Sequence, residues 1–230
     1  MTRLSVFIAS SVDGFIATED DDLGWLESAA HPDEDYGYDA FMDTVDALAM
    51  GRGTYDHIAH VDPLPFGDRP VYVFTSRPPA ERRGVTFWRE TPGGALRRWT
   101  EAGLRRVYVD GGQLISSFLA EDLIDDMLLT KVAVLLGSGR LMFHPIAASA
   151  RLNLEQVTPF PKSGSVNLAY TRRRPIPNGR SGPQLDGAPT GRCGTRRRFT
   201  AEPSPTRAIR QRIRARATPP RTQVASPKHA

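Results

Sequence analysis

The sequence predicts an α/β domain with a mostly parallel central sheet, followed by a basic extension. Over the first 173 residues, short apolar runs alternate with segments of helical periodicity, which is typical of parallel strands joined by helices. Charge divides the chain at the same place. Residues 1–173 carry 17 Lys and Arg against 24 Asp and Glu, whereas residues 174–230 carry 13 against 2. We therefore predict one domain over 1–173 and a separate tail over 174–230.

The tail has the composition of a disordered segment. It holds nine of the 19 prolines, and its apolar residues are scattered. Such a segment buries too little apolar surface to offset the entropy lost on ordering. Its arginines could contact nucleic acid without specificity, but Phe199 is its one aromatic residue and gives bases little to stack on. A solvated extension, or one created by a frameshift or read-through, is the favoured interpretation.

The first half of the domain predicts two strands and two helices. Residues 4–9 form a nearly continuous apolar run, as expected of a buried strand. Residues 47–50 predict a second strand that ends at Gly51, and residues 54–60 a short helix. A preceding helix is predicted because four apolar residues recur at helical spacing. These four are Tyr38, Phe41, Met42 and Val45.

The second half continues the alternation and then ends on two adjacent strands. Pro92 and Gly103 bound one predicted helix, as expected for a helix start and end. The predicted strands are 71–74, 85–88, 107–109 and 126–136, and the predicted helices are 92–102 and 114–119. Residues 152–159 and 165–171 predict a closing antiparallel pair.

Three predicted strand ends carry glycine, hydroxyl and arginine residues, at 50–54, 75–77 and 110–113. In open α/β sheets, ligands bind outside the carboxyl ends of the strands. Glycines there let backbone N–H groups approach phosphate oxygens, and Arg52 and Arg77 supply charge-assisted contacts. Together the three segments predict a ligand rich in phosphate.

Several catalytic classes are excluded by what the sequence lacks. Cys193 is the single cysteine, which excludes an intramolecular disulfide, a cysteine-rich zinc site and the zinc deaminase signature. The sequence contains no H-E-x-x-H, no G-x-S-x-G, no P-loop and no G-x-G-x-x-G. We therefore predict no metal ion. A phosphate-rich ligand without a side-chain nucleophile suits an enzyme whose cofactor transfers a hydride.

Five segments in order resemble the dihydrofolate reductase superfamily. They are S-V-D-G-F-I-A at 11–17, M-G-R-G-T-Y at 50–55, V-F-T-S-R at 73–77, V-D-G-G at 109–112 and L-L-G-S-G at 135–139. The chain is most similar to the reductase C-terminal domain of the bacterial bifunctional riboflavin-biosynthesis deaminase-reductase and to its stand-alone relatives. The resemblance covers about residues 2–173. It implies a three-layer α/β/α fold and an NADPH-dependent reductase of a pterin- or pyrimidine-like heterocycle, similar to 5-amino-6-(5-phosphoribosylamino)uracil reductase.

The resemblance also implies which residues hold NADPH. The implied phosphate contacts are Gly51, Arg52 and Thr54 at a helix start, with Thr75, Ser76 and Arg77 around the adenosine 2′-phosphate. The implied Gly-Gly turn, often a cis peptide in the family, is Gly111–Gly112, with Gln113 opening the next helix. Ala9 and Ile16 would present backbone groups to the nicotinamide.

Asp13 and Asp39 are the predicted catalytic carboxylates. Asp13 would form a turn with Gly14 beside the nicotinamide, although Asp-Gly is also a common turn in its own right. Asp39, with Asp35 as the alternative, is a candidate for the acidic residue that dihydrofolate reductases place on the helix beside the pterin. A held water or a carboxylate would give the proton. The segment from Glu27 to Asp39 is longer than in those enzymes, which disfavours folate as substrate.

Two other functions remain open from the sequence. The same phosphate motifs would serve a nucleotide-binding module without turnover, and the basic tail could contact nucleic acid. The resemblance further implies a homodimer acting on a small heterocyclic molecule. The apolar runs are too short for a membrane span, and the first is interrupted too early for a signal peptide, so we expect a cytoplasmic protein.

Overall fold

Ten strands form two sheets in the computed structural model, which describes residues 1–147 and 150–172. They are β1 (Arg3–Ser11), β2 (Phe15–Ala17), β3 (Ala47–Gly51), β4 (Val71–Phe74), β5 (Val85–Trp88), β6 (Arg106–Asp110), β7 (Asp126–Val132), β8 (Arg140–Leu141), β9 (Leu152–Phe160) and β10 (Ser165–Arg172). The central sheet has the order β5-β4-β3-β6-β1-β7-β10-β9, and β2 pairs with β8. In this order each strand is parallel to the next from β5 at the edge as far as β7. Strand β10 is antiparallel to both of its neighbours, β7 and β9. The predicted parallel sheet with an antiparallel end is confirmed.

Alternation along the central strands sends side chains into two separate cores. In β1, Leu4, Val6 and Ile8 join one core, whereas Phe7 joins the other. Residues 47–50 of β3 divide in the same way. Successive side chains of a strand point to opposite faces, so a strand buried on both faces has a nearly continuous apolar sequence. This is the pattern by which β1 and β3 were predicted.

Helices cover both faces and make the sheet the middle of three layers. They are α1 (Gly24–Ala29), α2 (Tyr38–Met42), α3 (Arg52–Ile58), α4 (Pro92–Glu101) and α5 (Gly112–Ala120). Trp99 of α4 and Phe118 of α5 lie in the first core, and Met42 of α2 and Tyr55 of α3 lie in the second. The predicted three-layer α/β/α architecture is confirmed.

Several element boundaries differ from the sequence prediction. The strand predicted over 126–136 ends at Val132, because Val134 N–H donates to the Val132 carbonyl at 2.7 Å and breaks the regular pairing, although the Val134 carbonyl still accepts from Val12 N–H at 2.9 Å. The helix predicted through Val45 ends at Met42, although Val45 is still buried in the core. Helices α3 and α5 each begin two residues earlier than predicted, directly after a glycine.

The predicted disordered tail lies outside the described residues. Within residues 1–147 and 150–172, no helix combines the length and the apolar character that crossing a membrane requires.

Trp99 provides a test of the first core. Its ring is 1% exposed and stacks on Phe118 at 6.0 Å and on Trp88 at 5.7 Å. Replacing it in Trp99→Ala leaves a large cavity and should lower the free energy of unfolding by about 3–5 kcal/mol, measured by denaturant titration. As a control, Arg97→Ala changes an exposed side chain of the same helix and should shift the free energy of unfolding by about 0.5 kcal/mol or less. Equal losses for both variants would contradict this account of the core.

Candidate active site

A cavity of about 960 Å³ opens where the parallel strands end. Its walls include residues at or just beyond the carboxyl ends of β1, β3, β4, β6 and β7, such as Ala9, Gly51, Thr75, Gly111 and Val132. Ligands of open α/β sheets bind at this edge because the strand order reverses there and leaves a crevice between loops. The helix α1 contributes Leu26 from above.

Glycines set the shape of the cavity where α3 and α5 begin. Gly111 has φ of +96°, and a Cβ at this position would lie 2.5 Å from Oγ1 of Thr54. A Cβ at Gly112 would collide with the carbonyl oxygen of Leu141. By contrast, a Cβ at Gly51 or Gly53 would meet nothing within 4 Å. The turn therefore packs closely against α3, while open space remains beside residues 51 and 53.

The start of α5 faces this open space without a side-chain cap. The first N–H groups of a helix lack intrahelical partners and carry partial positive charge, which favours an anion. Asp110, which is 2% exposed, accepts a hydrogen bond from Gly111 N–H at 3.0 Å. This bond holds the turn that leads into α5.

Two arginines line the cavity, and each is paired with a carboxylate. Arg52 donates to Oδ1 of Asp56 at 2.7 Å and to the carbonyl of Arg77 at 2.7 Å. Arg140 holds Asp21 through two bonds, at 2.6 and 3.0 Å. Hydrogen bonding to Arg140, together with its charge, keeps the pKa of Asp21 below its ordinary value. The second pair joins the loop after β2 to β8.

Part of the cavity lining is aromatic. The Phe7 ring lies 5.4 Å from Tyr38, and Phe41 lies 5.2 Å from both Phe7 and Tyr108. Tyr108 Oη also donates to the carbonyl of Phe7 at 2.7 Å. These contacts produce a stiff wall, because each ring is held by at least one other.

Glu34 fixes the loop that carries Tyr36 into the cavity. Its buried carboxylate accepts N–H groups from Lys162 at 2.7 Å and Ser163 at 3.0 Å, in the turn between β9 and β10. Tyr36 Oη donates to the same carboxylate at 3.3 Å. Burial raises the pKa of Glu34, but hydrogen bonds from Ser163 and Lys162 outweigh this and leave the pKa below its ordinary value.

The structure brings most of the predicted cofactor residues together. Those that line the cavity are Ala9, Ile16, Gly51, Arg52, Thr54, Thr75, Ser76, Gly111, Gly112 and Gln113. Arg77 does not line it, although its carbonyl holds Arg52. The expected cis peptide at Gly111–Gly112 is absent: in the described part of the chain the cis bond is Asp62–Pro63, and the positive φ of Gly111 makes the turn.

Neither predicted catalytic carboxylate lies in the cavity. Asp13 accepts N–H groups of Leu136 at 3.2 Å and Gly137 at 2.7 Å, and so holds the loop after β7. A hydrogen bond from Ser11 and those backbone groups keep the pKa of Asp13 below its ordinary value. Asp39 lies on α2, one residue beyond Tyr38, and successive helical residues point about 100° apart. Burial and neighbouring carboxylates raise the pKa of Asp39.

Sequence reasoning missed most of the polar and aromatic lining. Arg140 closely follows the G-S-G segment at 137–139, so that segment could have indicated it. Tyr108 and Thr130 lie inside strands, where nothing local distinguishes a lining residue from a core residue. In the described residues, no group of three or more His, Cys, Asp or Glu side chains is arranged to hold a metal ion.

A family model called the RibD C-terminal domain matches residues 2–163. The chain belongs to this RibD C-terminal domain family. YwjB of Bacillus subtilis, an uncharacterized protein, is 35% identical over 176 residues, which cover 75% of this chain and 99% of YwjB. The match to the family thus extends over nearly all of the described residues.

Solved structures with this RibD C-terminal fold include proteins from two other bacteria. One is named as a proposed riboflavin biosynthesis protein of Shewanella sp. PV-4. It is 32% identical to this chain, with a TM-score of 0.69, and the match covers 75% of this chain and all of that one. The other is a deaminase/5-amino-6-(5-phosphoribosylamino)uracil reductase of Thermotoga maritima. It is 16% identical with a TM-score of 0.55, covering 75% of this chain and 57% of that one, and shows the likeness of fold.

Lowering the pH should destabilise the loop that carries Tyr36, because the ionised carboxylate of Glu34 holds this loop. Folding lowers the pKa of Glu34, so the ionised carboxylate stabilises the folded state. This stabilisation is fully present at a pH above the ordinary pKa of 4.5. It is lost as the pH falls through the lower pKa of the folded state. Glu34→Gln should therefore have a lower Tm than the parent near neutral pH, and the difference should shrink in acid. The measurement is a series of thermal melts from about pH 7 to about pH 3.

The control for this series is Glu101→Gln, which changes an exposed carboxylate at the end of α4. It should follow the parent at every pH. A Glu34→Gln difference that grew in acid would contradict the role given to this carboxylate.

Proposed function

We propose that this chain is an NADPH-dependent reductase of a pterin- or pyrimidine-like heterocycle. The observation that carries the proposal is the open space at Gly51 and Gly53, facing the uncapped start of α5 beside Arg52. Membership of the RibD C-terminal domain family supports a reductase-like role. The name of the Thermotoga neighbour includes a uracil reductase, and a neighbour from Corynebacterium diphtheriae is called pyrimidine reductase-like.

The proposed cofactor site extends from β4 to β1. Residues 51–54 and the start of α5 offer backbone N–H groups and a cation to the pyrophosphate. Thr75 and Ser76 lie beyond them, where the adenosine 2′-phosphate would be bound together with Arg77. Arg52 can exchange its bond to Asp56 for a bond to phosphate, because that carboxylate is half exposed and weakly held.

The dihydronicotinamide, when bound, would supply a hydride to the substrate ring or its side chain. Ala9 and Ile16 line the adjoining part of the cavity and would orient the ring. The Asp110 carboxylate accepts the N–H of Gly111 and so holds the turn that leads into α5, where the phosphates would be bound. Asp13 and Asp39 lie outside the cavity, and the carboxylates that line it are already bonded: Asp21 to Arg140, Asp56 to Arg52 and Asp110 to the N–H of Gly111. We therefore assign the proton that completes the reduction to a water.

Cofactor preference tests this proposal directly. The full chain should bind NADPH more tightly than NADH, measured by cofactor fluorescence at about 0.15 M salt so that the basic tail is screened. The double variant Ser76→Ala with Arg77→Ala should weaken NADPH binding by about 10- to 100-fold, the loss expected for charge-assisted hydrogen bonds, and leave NADH binding unchanged.

Arg97→Ala is the matched control, because Arg97 is an exposed arginine of α4 outside the cavity. It should leave both affinities unchanged. A chain that bound neither cofactor would contradict the cofactor assignment. A chain that bound NADPH but oxidised it with no pyrimidine or pteridine would instead be a nucleotide-binding module without turnover.

The implied homodimer remains a prediction, for which the edge strand β9 is the candidate surface. Leu154 and Val157 on this strand are 53% and 51% exposed. Edge strands with apolar side chains are often covered by another chain. Light scattering of the full chain should give the mass of two chains, and Leu154→Lys should shift it toward one. The exposed substitution Gln156→Lys on the same strand is the control and should leave the mass unchanged. A parent that is already monomeric would contradict the prediction.

A further inference from the structure

The loop after β2 carries a run of acidic residues at 19–22, and one of them lines the cavity. That residue is Asp21, whose φ of 64° lies in the left-handed region. Its N–H donates to the Thr18 carbonyl at 3.1 Å, which closes the turn. Aspartate and asparagine adopt this conformation more readily than most residues with a side chain. The acidic run is therefore more than a solvated loop, because its turn brings one carboxylate to the cavity.

Arg140 binds this carboxylate through two N–H groups. Nε and Nη2 donate to the two carboxylate oxygens of Asp21 at 2.6 and 3.0 Å. A phosphate accepts the same parallel pair of N–H groups from a guanidinium. The two side chains are 57% and 42% exposed, and an ion pair at that exposure contributes little to stability. Another anion could thus take the place of Asp21 at little cost to the fold.

The backbone that carries Arg140 is held independently of this ion pair. Strand β8 pairs with β2, and Arg140 is the register partner of Ala17. A Cβ at Gly139 would collide with the Ala17 carbonyl, and a Cβ at Gly112 with the carbonyl of Leu141. Strand β8 therefore fits closely between β2 and the start of α5. Arg140 would stay beside α5 if its carboxylate partner left.

This position is closer to the proposed pyrophosphate than to the proposed 2′-phosphate. Thr75 and Ser76 lie just beyond β4, whereas α5 follows β6, which is two strands away from β4 in the sheet. Since β8 packs against the start of α5, Arg140 belongs to the part of the cavity where the proposed function places the pyrophosphate.

Other charges act on the same ion pair. Against the effect of burial, hydrogen bonding to Arg140 lowers the pKa of Asp21, and the charges of Arg140 and of His57 on α3 lower it further. Asp21 itself raises the pKa of Arg140, and the charges of Glu19 and Asp20 add to this effect. An anion that replaced Asp21 would keep these neighbours, with the two cations attracting it and the two carboxylates repelling it.

We propose that Arg140 binds the pyrophosphate of the cofactor and that the carboxylate of Asp21 competes for the same guanidinium. This inference rests on the proposed function and adds both residues to the same site. In the exchange, Arg140 gives up two hydrogen bonds to a carboxylate and makes two to a phosphate, so its donors stay paired. Repulsion by the phosphate turns the released carboxylate toward solvent, and a water remains the source of the proton.

Arg140→Gln tests the contact with the pyrophosphate. It should weaken the binding of NADPH and of NADH by the same factor, about tenfold, because both carry this group. The measurement is a cofactor-fluorescence titration of the full chain at about 0.15 M salt. An equal loss distinguishes Arg140 from Ser76 and Arg77, whose double variant should affect NADPH alone. Arg97→Gln, on α4 outside the cavity, is the matched control and should change neither affinity.

Asp21→Asn tests the competition. Asparagine keeps the size of the side chain and tolerates the positive φ, so the turn should remain. The variant loses the charge that holds Arg140 and should bind NADPH about threefold or more tightly. Asp20→Asn removes a charge from the same loop outside the cavity lining, and should change the affinity by less than about twofold because salt screens it. In the double variant with Arg140→Gln, the gain from Asp21→Asn should fall to the level of this control.

Four results would overturn the inference while leaving the proposed function intact. They are an Arg140→Gln chain with the affinities of the parent, a loss confined to NADPH, an Asp21→Asn chain that binds no more tightly than Asp20→Asn, and a gain from Asp21→Asn that persists in the double variant. A parent chain that bound neither cofactor would instead overturn the proposed function, and this inference with it.

Discussion

The close approach of the Gly111–Gly112 turn to α3 is the constraint on which the rest of the site depends. A side chain at Gly111 would meet Thr54, and one at Gly112 would meet the backbone of β8. The turn connects β6, which lies between β3 and β1, to α5. The turn therefore lies where the ends of three adjacent strands meet. Because it stays close, the starts of α3 and α5 face one space and can act on one ligand.

The sequence predicted the sheet better than it predicted the site. Apolar runs such as 4–9 and 47–50 identify buried strands because burial on both faces leaves a continuous signal. Strand order has no such local signal, since β1 pairs with β6 and β7, roughly a hundred or more residues along the chain. The glycine and arginine segments could be found because each lies directly after a strand. A catalytic carboxylate could not be found in this way, because whether a residue such as Asp39 faces the cavity depends on how α2 packs. Thr130 and Asn167 come together only through the pairing of β7 with β10.

The arginines of the cavity form ion pairs that fix their positions and leave them able to bind a ligand. Exposed ion pairs contribute only about 0–1 kcal/mol to stability. The pairs of Arg52 with Asp56 and of Arg140 with Asp21 therefore fix side-chain positions more than they stabilise the fold. Glu34 differs from them because it is buried and bonded to backbone N–H groups of a distant turn. One part of the site can thus exchange its partners for a ligand, while the other part stays in place.

The position of β1 in the sheet has a consequence for biosynthesis. The ribosome makes β1 before both of its neighbours, β6 and β7, which begin only at Arg106 and Asp126. Until then its apolar side chains have no sheet to join, so the nascent chain exposes a strand edge and a hydrophobic run together. The loop that carries Tyr36 is fixed even later, because the turn at 162–163 that holds Glu34 is made near the end of the domain. Folding during translation is thereby delayed until most of the domain has emerged, and until then the apolar run of β1 is open to chaperones that bind hydrophobic segments.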